Sequence, residues 1–277
     1  MKNAIVTGSS SGFGKLIAIE LAKSGFYVYA TMRDQSKAES LLQLAADGNV
    51  KERIHVVTLD VTSEASIAEF GGYVQELQSV DVLVNNAGFA QGGFCEELPI
   101  EAYRQQFETN FFGAVAVTKE VLPSMRALGS GKIINMSSIS GTFGFPGLSA
   151  YVSSKYALEG FSESLRLELK PFGIDVVLVE PGSYKTNIWS SVETIQLQDQ
   201  SPYENYKEAI MNELKSGEPE YGDPQEVANL VVRIARDVDG RSELRYPIGK
   251  GVAKTILLKK LLPWKTIKKI VMKKLYR

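Results

Sequence analysis

Short apolar runs alternate along the chain with segments whose apolar residues recur every three or four positions. The runs at 4–7, 26–32, 54–60, 80–85, 131–138 and 174–180 are rich in Val, Ile, Leu and aromatic residues, as strands covered on both faces are. Between them, residues 12–24 place Phe13, Ile17 and Leu21 four apart, on one face of a helix. Helices are predicted likewise over 37–46, 63–77, 101–128 and 151–170. Asp223-Pro224-Gln225-Glu226 supplies an N-cap and a proline at the first helical position, so a further helix starts there. Residues 244–248 read as the last strand. This alternation predicts an α/β, doubly wound parallel sheet with helices on both faces. No repeat or low-complexity linker divides it, so residues 1–248 are expected to form a single domain. Residues 183–222 follow no regular period and leave a strand at its carboxyl end, where α/β proteins bind ligands. They are predicted to be an irregular loop covering a substrate.

Candidate chemistry centres on Tyr151. Lys155 lies four residues later and Ser138 thirteen earlier. Tyr-x-x-x-Lys also occurs at Tyr203/Lys207 and Tyr246/Lys250, and Tyr203 has Ser190 thirteen residues upstream. Only the first pair has the right setting: Ser138 ends an apolar run and Tyr151 opens a long helical segment. Tyr203 sits in polar sequence after a proline, and Pro247 excludes a helix at Tyr246. Residues four apart share a helix face, so Lys155 can act on Tyr151. A free tyrosine has a pKa of about 10, and a neighbouring ammonium is expected to lower it. The phenol could then exchange a proton with an alcohol or carbonyl oxygen that Ser138 also holds.

The junction of the first strand and helix reads Thr7-Gly8-Ser9-Ser10-Ser11-Gly12-Phe13-Gly14. Glycines permit close backbone approach, and a helix N-terminus attracts a pyrophosphate, so Gly8, Ser10, Ser11, Gly12, Phe13 and Gly14 are candidate dinucleotide contacts. With Asn85-Asn86-Ala87-Gly88, Asn110, Ser138, Tyr151/Lys155 and Pro181-Gly182 following in order, residues 3–248 resemble the short-chain dehydrogenases/reductases. The resemblance implies a Rossmann-type fold with seven parallel strands and a nicotinamide cofactor. It implies that Tyr151 is the acid/base, that Lys155 binds the nicotinamide ribose, that Ser138 polarises the reacting oxygen and that Asn110 anchors a water in a proton relay. Asp60 and its neighbour Val61 are implied at the adenine, Asn86, Ala87 and Gly88 at the adenine ribose, and Pro181, Gly182 and Thr186 at the carboxamide. Tyr184 departs from the pattern, which more often has a β-branched residue there. A homo-oligomer, dimer or tetramer, is also implied. A cofactor-binding protein that had lost catalysis should lack part of the Asn/Ser/Tyr/Lys set, and this chain lacks none.

Charge decides the expected cofactor. NAD-binding proteins usually place Asp or Glu after the second strand, against the ribose 2′-hydroxyl. Here that position is Met32, followed by Arg33 and Asp34. Arg33 can pair with a 2′-phosphate, so NADP is expected, with NAD possible if Asp34 takes the acidic role.

The single cysteine, Cys95, and single histidine, His55, leave no intrachain disulfide and no Cys/His metal cluster, so no metal is expected. Met1-Lys2-Asn3 runs directly into the first strand, too short for the apolar core of a signal peptide, and no run is long enough to span a membrane. A cytoplasmic protein is expected. Net charge is −1, yet the stretch from Arg245 to Arg277 holds eleven Lys/Arg and no Asp/Glu, which leaves −12 on the rest. That acidic body argues against nucleic acid as a partner. In the tail, residues 249–277, Trp264, Ile267, Ile270, Val271 and Leu275 recur at helical spacing among lysines. This basic amphipathic pattern admits docking on a membrane surface, a flap over the substrate entrance, or packing on the domain. The tail and Glu180-Pro181-Gly182 resemble the steroid- and retinol-type subgroup, which implies an apolar alcohol or carbonyl substrate.

Overall fold

The computed structural model describes residues 2–186, 197, 200–217, 221–237 and 242–275. Seven strands form one parallel sheet: β1 (Asn3–Val6), β2 (Tyr27–Met32), β3 (Ile54–Thr58), β4 (Val82–Asn85), β5 (Gly131–Met136), β6 (Ile174–Pro181) and β7 (Arg245–Ile248). Their order is β3-β2-β1-β4-β5-β6-β7. The chain therefore reverses direction across the sheet between β1 and β4, where Val6 pairs with both Ala30 and Val84. The crevice beyond the carboxyl ends of strands at such a reversal is the standard ligand site of the architecture.

Side-chain alternation along the strands splits the core in two. Ala4, Val6, Ile134 and Val177 point into one layer, where they meet Ile17 and Leu21 of α1 (Gly12–Lys23) and Val227 and Val231 of α8 (Pro224–Arg236). Their sequence neighbours Ile5, Ile133 and Val176 point into the other. There they meet Phe70 and Val74 of α3 (Glu64–Glu76), Val117 and Val121 of α5 (Gly113–Leu128), and Leu165 and Leu169 of α6 (Ser149–Leu169). Both faces are thus apolar, which is why the strands read as continuous runs rather than alternating ones. The predicted cap of α8 is present: the Asp223 carboxylate accepts the Gln225 backbone N–H at 2.9 Å, and Pro224 takes the first helical position.

Three segments differ from expectation. The segment 37–46 begins as a 3₁₀ turn at Gln35–Ala38 and becomes α2 at Glu39–Asp47. The helix expected over 101–128 is α4 (Ile100–Phe107) joined to α5 by a π-helical turn, Glu108–Phe112, and this turn carries Asn110. The segment 183–222 is not wholly irregular, because Glu204–Gly217 forms helix α7. Tyr206 and Ile210 lie four apart on α7, and Ile210 is buried. The period was present, though masked by acidic and lysine residues between the apolar ones. Residues 187–196, 198–199 and 218–220 of that segment, Ser190 among them, lie outside the described residues. The tail forms two helices, α9 (Val252–Leu261) and α10 (Trp264–Leu275), and α10 packs against α7. Among the described residues, no helix is long and apolar enough to cross a membrane, and no cluster of His, Cys, Asp and Glu could hold a metal ion.

Beneath the site the two central strands are joined by polar side chains. Asn85 Nδ2 donates to Asn135 Oδ1 at 2.8 Å and to Thr118 Oγ1 at 3.0 Å. Asn135 Nδ2 donates to Ser162 Oγ at 2.8 Å, and Ser162 in turn donates to the Leu158 carbonyl. These groups are buried, so each is costly to leave unpaired. Asn135→Leu should leave one Nδ2 hydrogen of Asn85 and the accepting side of Ser162 Oγ unpaired, although Asn85 keeps Thr118 and Ser162 keeps the Leu158 carbonyl. The expected loss is at least about 2 kcal/mol, from roughly 1–3 kcal/mol per unsatisfied buried group, read as a lowered denaturant midpoint.

Candidate active site

The loops after β1 and β4 interlock at the reversal point. Thr7 Oγ1 accepts the backbone N–H groups of Asn86 and Ala87, each at 2.9 Å. Asn86 Nδ2 returns bonds to the carbonyls of Thr7, at 2.8 Å, and Gly8, at 3.1 Å. This contact leaves no room for side chains. A Cβ on Gly14 would lie 2.3 Å from the Gly8 carbonyl oxygen and 2.4 Å from Asn86 Nδ2. Gly8 itself has φ +67°, and its Cβ would meet the Ala87 backbone at 2.8 Å. Gly12, at φ +54°, has instead only Thr186 near its missing side chain, with a Cβ–Cβ approach of 4.0 Å. Ser11, the extended N-cap of α1, makes no side-chain cap bond, so the first N–H groups of α1 are not satisfied by it. A glycine cradle opening onto an uncapped helix start fits the pyrophosphate of a dinucleotide. Thr186 next to Gly12 brings the loop after β6 to the same cradle.

Thr7 is the residue that sequence reasoning passed over here. Its hydroxyl ties the two cofactor loops together, and its place as the last residue before Gly8 was the only signal. Ser10 is half-buried and Ser11 exposed in the same turn. Phe13 packs edge-on against Tyr184, with ring centroids 5.6 Å apart. That contact explains the departure at Tyr184. Its ring is buried between Phe13, Gly222 and Gly249, and its hydroxyl reaches Glu226 at 3.3 Å. It anchors the start of the loop after β6, and Thr186 donates back to the Tyr184 carbonyl at 2.8 Å. Pro181 ends β6, and the Gly182 N–H bonds to the Ile248 carbonyl of β7.

At the adenine end, Met32 is buried in the core and Arg33 is exposed. Asp34 turns away into its own turn: Oδ1 accepts the Ser36 hydroxyl at 2.7 Å and the Ser36 backbone N–H at 2.9 Å. These two bonds hold its carboxyl below the usual range. Asp60 Oδ1 accepts the Thr62 backbone N–H and hydroxyl. Burial works against its charge, but those bonds and the Arg33 guanidinium outweigh it, so the Asp60 pKa is also lowered. Val61 is buried against Gly113, where a Cβ would sit 2.8 Å from its own. Gly88 is exposed, and a Cβ there would approach Asn110 Oδ1 at 3.1 Å.

The candidate catalytic residues meet above β5. Ser138 caps the turn Ile139–Gly141 by accepting the Ser140 N–H at 3.1 Å. Tyr151 and Lys155 are 3% and 6% exposed, one turn apart near the start of α6. Lys155 Nζ donates to the Met136 carbonyl at 2.7 Å and lies 5.7 Å from the Tyr151 ring centroid. Asn110, also buried, exchanges bonds with the Phe89 backbone: its Oδ1 accepts the N–H at 3.1 Å and its Nδ2 donates to the carbonyl at 2.9 Å. Its Nδ2 also reaches Ser154 Oγ of α6 at 3.3 Å.

The expected lowering of the Tyr151 pKa is not found in this protein as it stands. Burial pushes the phenol up to about 12, and the hydrogen bond with Ser138 only partly offsets this. The same burial pushes the Lys155 ammonium down to about 8, against the opposing charge of Glu159. Desolvation favours the neutral form of each group, and it is the largest effect on both.

The other Tyr-x-x-x-Lys pairs are elsewhere. Tyr203 stacks on Phe94 at 4.4 Å and donates to Glu96, and Tyr246 lies on β7 with its hydroxyl accepting the Glu243 N–H. His55 is exposed on β3 and stacks against Tyr29, with ring centroids 5.4 Å apart.

The sequence matches the family described as short chain dehydrogenase over residues 2–196. It is 54% identical to the uncharacterized oxidoreductase YusZ of Bacillus subtilis, over 99% of both chains. It is 39% identical to 3-ketodihydrosphingosine reductase of Bacteroides thetaiotaomicron, covering 78% of this chain and 76% of that one. The crystal structure of a short-chain dehydrogenase from Streptomyces avermitilis superposes with a TM-score of 0.80 at 34% identity, over 98% of this chain and 95% of the other. The chain belongs to the short-chain dehydrogenase/reductase family and is an NAD(P)-dependent oxidoreductase.

Proposed function

We propose that the protein interconverts an alcohol and the corresponding carbonyl, a secondary alcohol with a ketone or a primary alcohol with an aldehyde, on an apolar molecule, using NADP(H), with Tyr151 as the acid/base. The observation that carries this reading is the buried Tyr151 side chain at the start of α6, one helical turn from the buried Lys155, whose Nζ donates to the Met136 carbonyl at the end of β5. A nicotinamide ring, when bound, supplies or accepts the hydride. In reduction, Tyr151 gives its proton to the carbonyl oxygen while Ser138 donates a hydrogen bond to the same atom; oxidation reverses both. A phenol kept protonated by burial is suited to donation at neutral pH. Lys155 holds the nicotinamide ribose and stabilises the phenolate left after transfer. The Asn110 side chain is spent on Phe89 and Ser154, so its main chain, in a π turn, remains to hold a water of the proton relay.

Apolar side chains around Tyr151 support an apolar substrate. Ala90, Leu148, Phe145, Val152 and Leu197 pack about it. One relative is named for reducing a ketone, 3-ketodihydrosphingosine. NADP is favoured because Met32 is buried, Asp34 is spent on Ser36, and Arg33 is left to meet a 2′-phosphate.

The tail belongs to the same reading. Val252, Ile256 and Ile267 anchor it to the domain, and Lys259 contacts the Thr142 carbonyl and Tyr156 hydroxyl next to the Ser138 turn. Leu257, Leu261, Trp264 and Ile270 remain exposed, from 54% to 70%, among lysines with no acidic residue between them. Exposed apolar side chains interspersed with cations fit an anionic bilayer surface, where an apolar substrate would be found.

Three measurements test these assignments. Tyr151→Phe should lower turnover by about 10²–10⁴-fold with cofactor affinity near wild type, whereas Tyr203→Phe should have a far smaller effect; retention of more than about a tenth of turnover rejects Tyr151 as the acid/base. Wild type should show higher kcat/KM with NADPH than NADH, and Arg33→Ala should erode that preference mainly through cofactor KM. Equal use of both cofactors by wild type defeats the charge argument. Vesicles containing anionic lipid should co-sediment the protein at low ionic strength and release it at high salt, and Trp264→Glu should weaken binding without changing the melting temperature. No sedimentation with anionic vesicles eliminates docking.

A further inference from the structure

One turn beyond Lys155, α6 carries Glu159, a carboxylate that is 5% exposed. Nothing in the reaction as described uses it. Both of its oxygens are held. Ser137 Oγ donates to Oε1 at 2.5 Å, and Arg245 Nε donates to Oε2 at 2.8 Å. It also packs under the turn that carries Ser138. A Cβ on Gly141 would lie 2.8 Å from Glu159 Cγ and 2.7 Å from Ser137 Oγ. A single carboxylate thus touches the catalytic serine's turn and stands one turn along the helix from the catalytic lysine.

We propose that Glu159 is a positioning residue for the reaction: its carboxylate, fixed by Ser137 and Arg245, keeps the buried Lys155 side chain a cation. The inference rests on the reading of Lys155 as the ammonium partner of Tyr151.

The charges around Glu159 come from four elements. Lys155 and Glu163 share α6 with it, Glu180 lies on β6, Arg245 on β7, and Lys260 of α9 acts on Glu180. Arg245 donates to Glu163 at 2.6 Å as well as to Glu159, and its Nε stands 3.9 Å from Glu180 Oε1. Glu180 is 1% exposed, its Oε1 has no hydrogen-bond partner, and burial pushes it up to about 7. Burial raises Glu159 as well, but Ser137 and Arg245 stabilise its charged form. Of the two buried carboxyls, Glu159 is the one with a donor on each oxygen, Ser137 on Oε1 and Arg245 on Oε2, the arrangement that stabilises a carboxylate's charge. That charge opposes the desolvation that would strip Lys155 of its proton.

A purely structural Glu159 would be replaceable by glutamine, which keeps the shape and a hydrogen-bonding oxygen. The test is Glu159→Gln in protein with ¹³C-labelled lysine, following the Lys155 Cε resonance with pH and assigning it by its loss in Lys155→Met. The midpoint is expected to fall by roughly one pH unit, as expected for loss of a neighbouring opposite charge. The alkaline limb of carbonyl reduction should move down with it, while Glu163→Gln, at a half-exposed carboxylate, moves neither. An unmoved midpoint in Glu159→Gln overturns the proposal. If that variant does not fold, Ser137→Ala, which frees the Glu159 carboxylate to take a proton, should shift the Lys155 midpoint the same way, and no shift there overturns it equally. Because the resonance is read on the resting protein, a wild type without alcohol or carbonyl turnover would defeat the assigned reaction and leave this result standing.

Discussion

The buried amine of Lys155 organises the candidate catalytic end of this molecule. Removing a charged amine from water costs several kcal/mol unless other groups replace the lost hydration. Lys155 finds the Met136 carbonyl at the end of β5 and the field of Glu159 one turn along α6. Those partners require α6 to cross the carboxyl end of β5 at one height, and the helix is held there by Leu165 and Leu169 in the core. With the height fixed, Tyr151 and Ser138 come together without a further device. Burial that makes the lysine reluctant to hold its proton also makes the tyrosine reluctant to lose one.

The dinucleotide end depends on the opposite constraint, an absence of side chains. Gly8 and Gly14 are glycines because the loop after β4 occupies the space where their Cβ atoms would stand, and Gly12 because its backbone is left-handed with open space in front of it. Thr7 and Asn86 lock the two loops with four hydrogen bonds, so the cradle is part of the sheet edge rather than a free loop. The cost is little tolerance of substitution at these glycines.

The tail links the site to the outside. α9 reaches the Ser138 turn through Lys259, and α10 packs on α7, whose neighbour Tyr203 stacks on Phe94. The segment that presents exposed leucines and lysines therefore contacts the elements flanking the substrate region.

Much of this was legible in the chain. The strand runs, their order, the glycine loop and the Tyr151/Lys155 pair could be read because each is local: periodicity, turn chemistry and helix spacing act within a few residues. The asparagine at 110 was legible by resemblance, but not its π turn, since that turn is stabilised by Phe89 and Ser154 from distant parts of the chain. Helix α7 was hidden because the α10 face that covers it lies some sixty positions away in sequence. Decisions about charge were the least visible. The same glutamate is a solvated surface residue or a buried counter-charge according to what packs over it. The grouping of Glu159, Glu180 and Arg245, from α6, β6 and β7, exists only once the sheet has closed. Sequence alone determined which groups could do the chemistry. Tertiary burial decided their protonation, because desolvation depends on everything around a group and on almost nothing beside it in the chain.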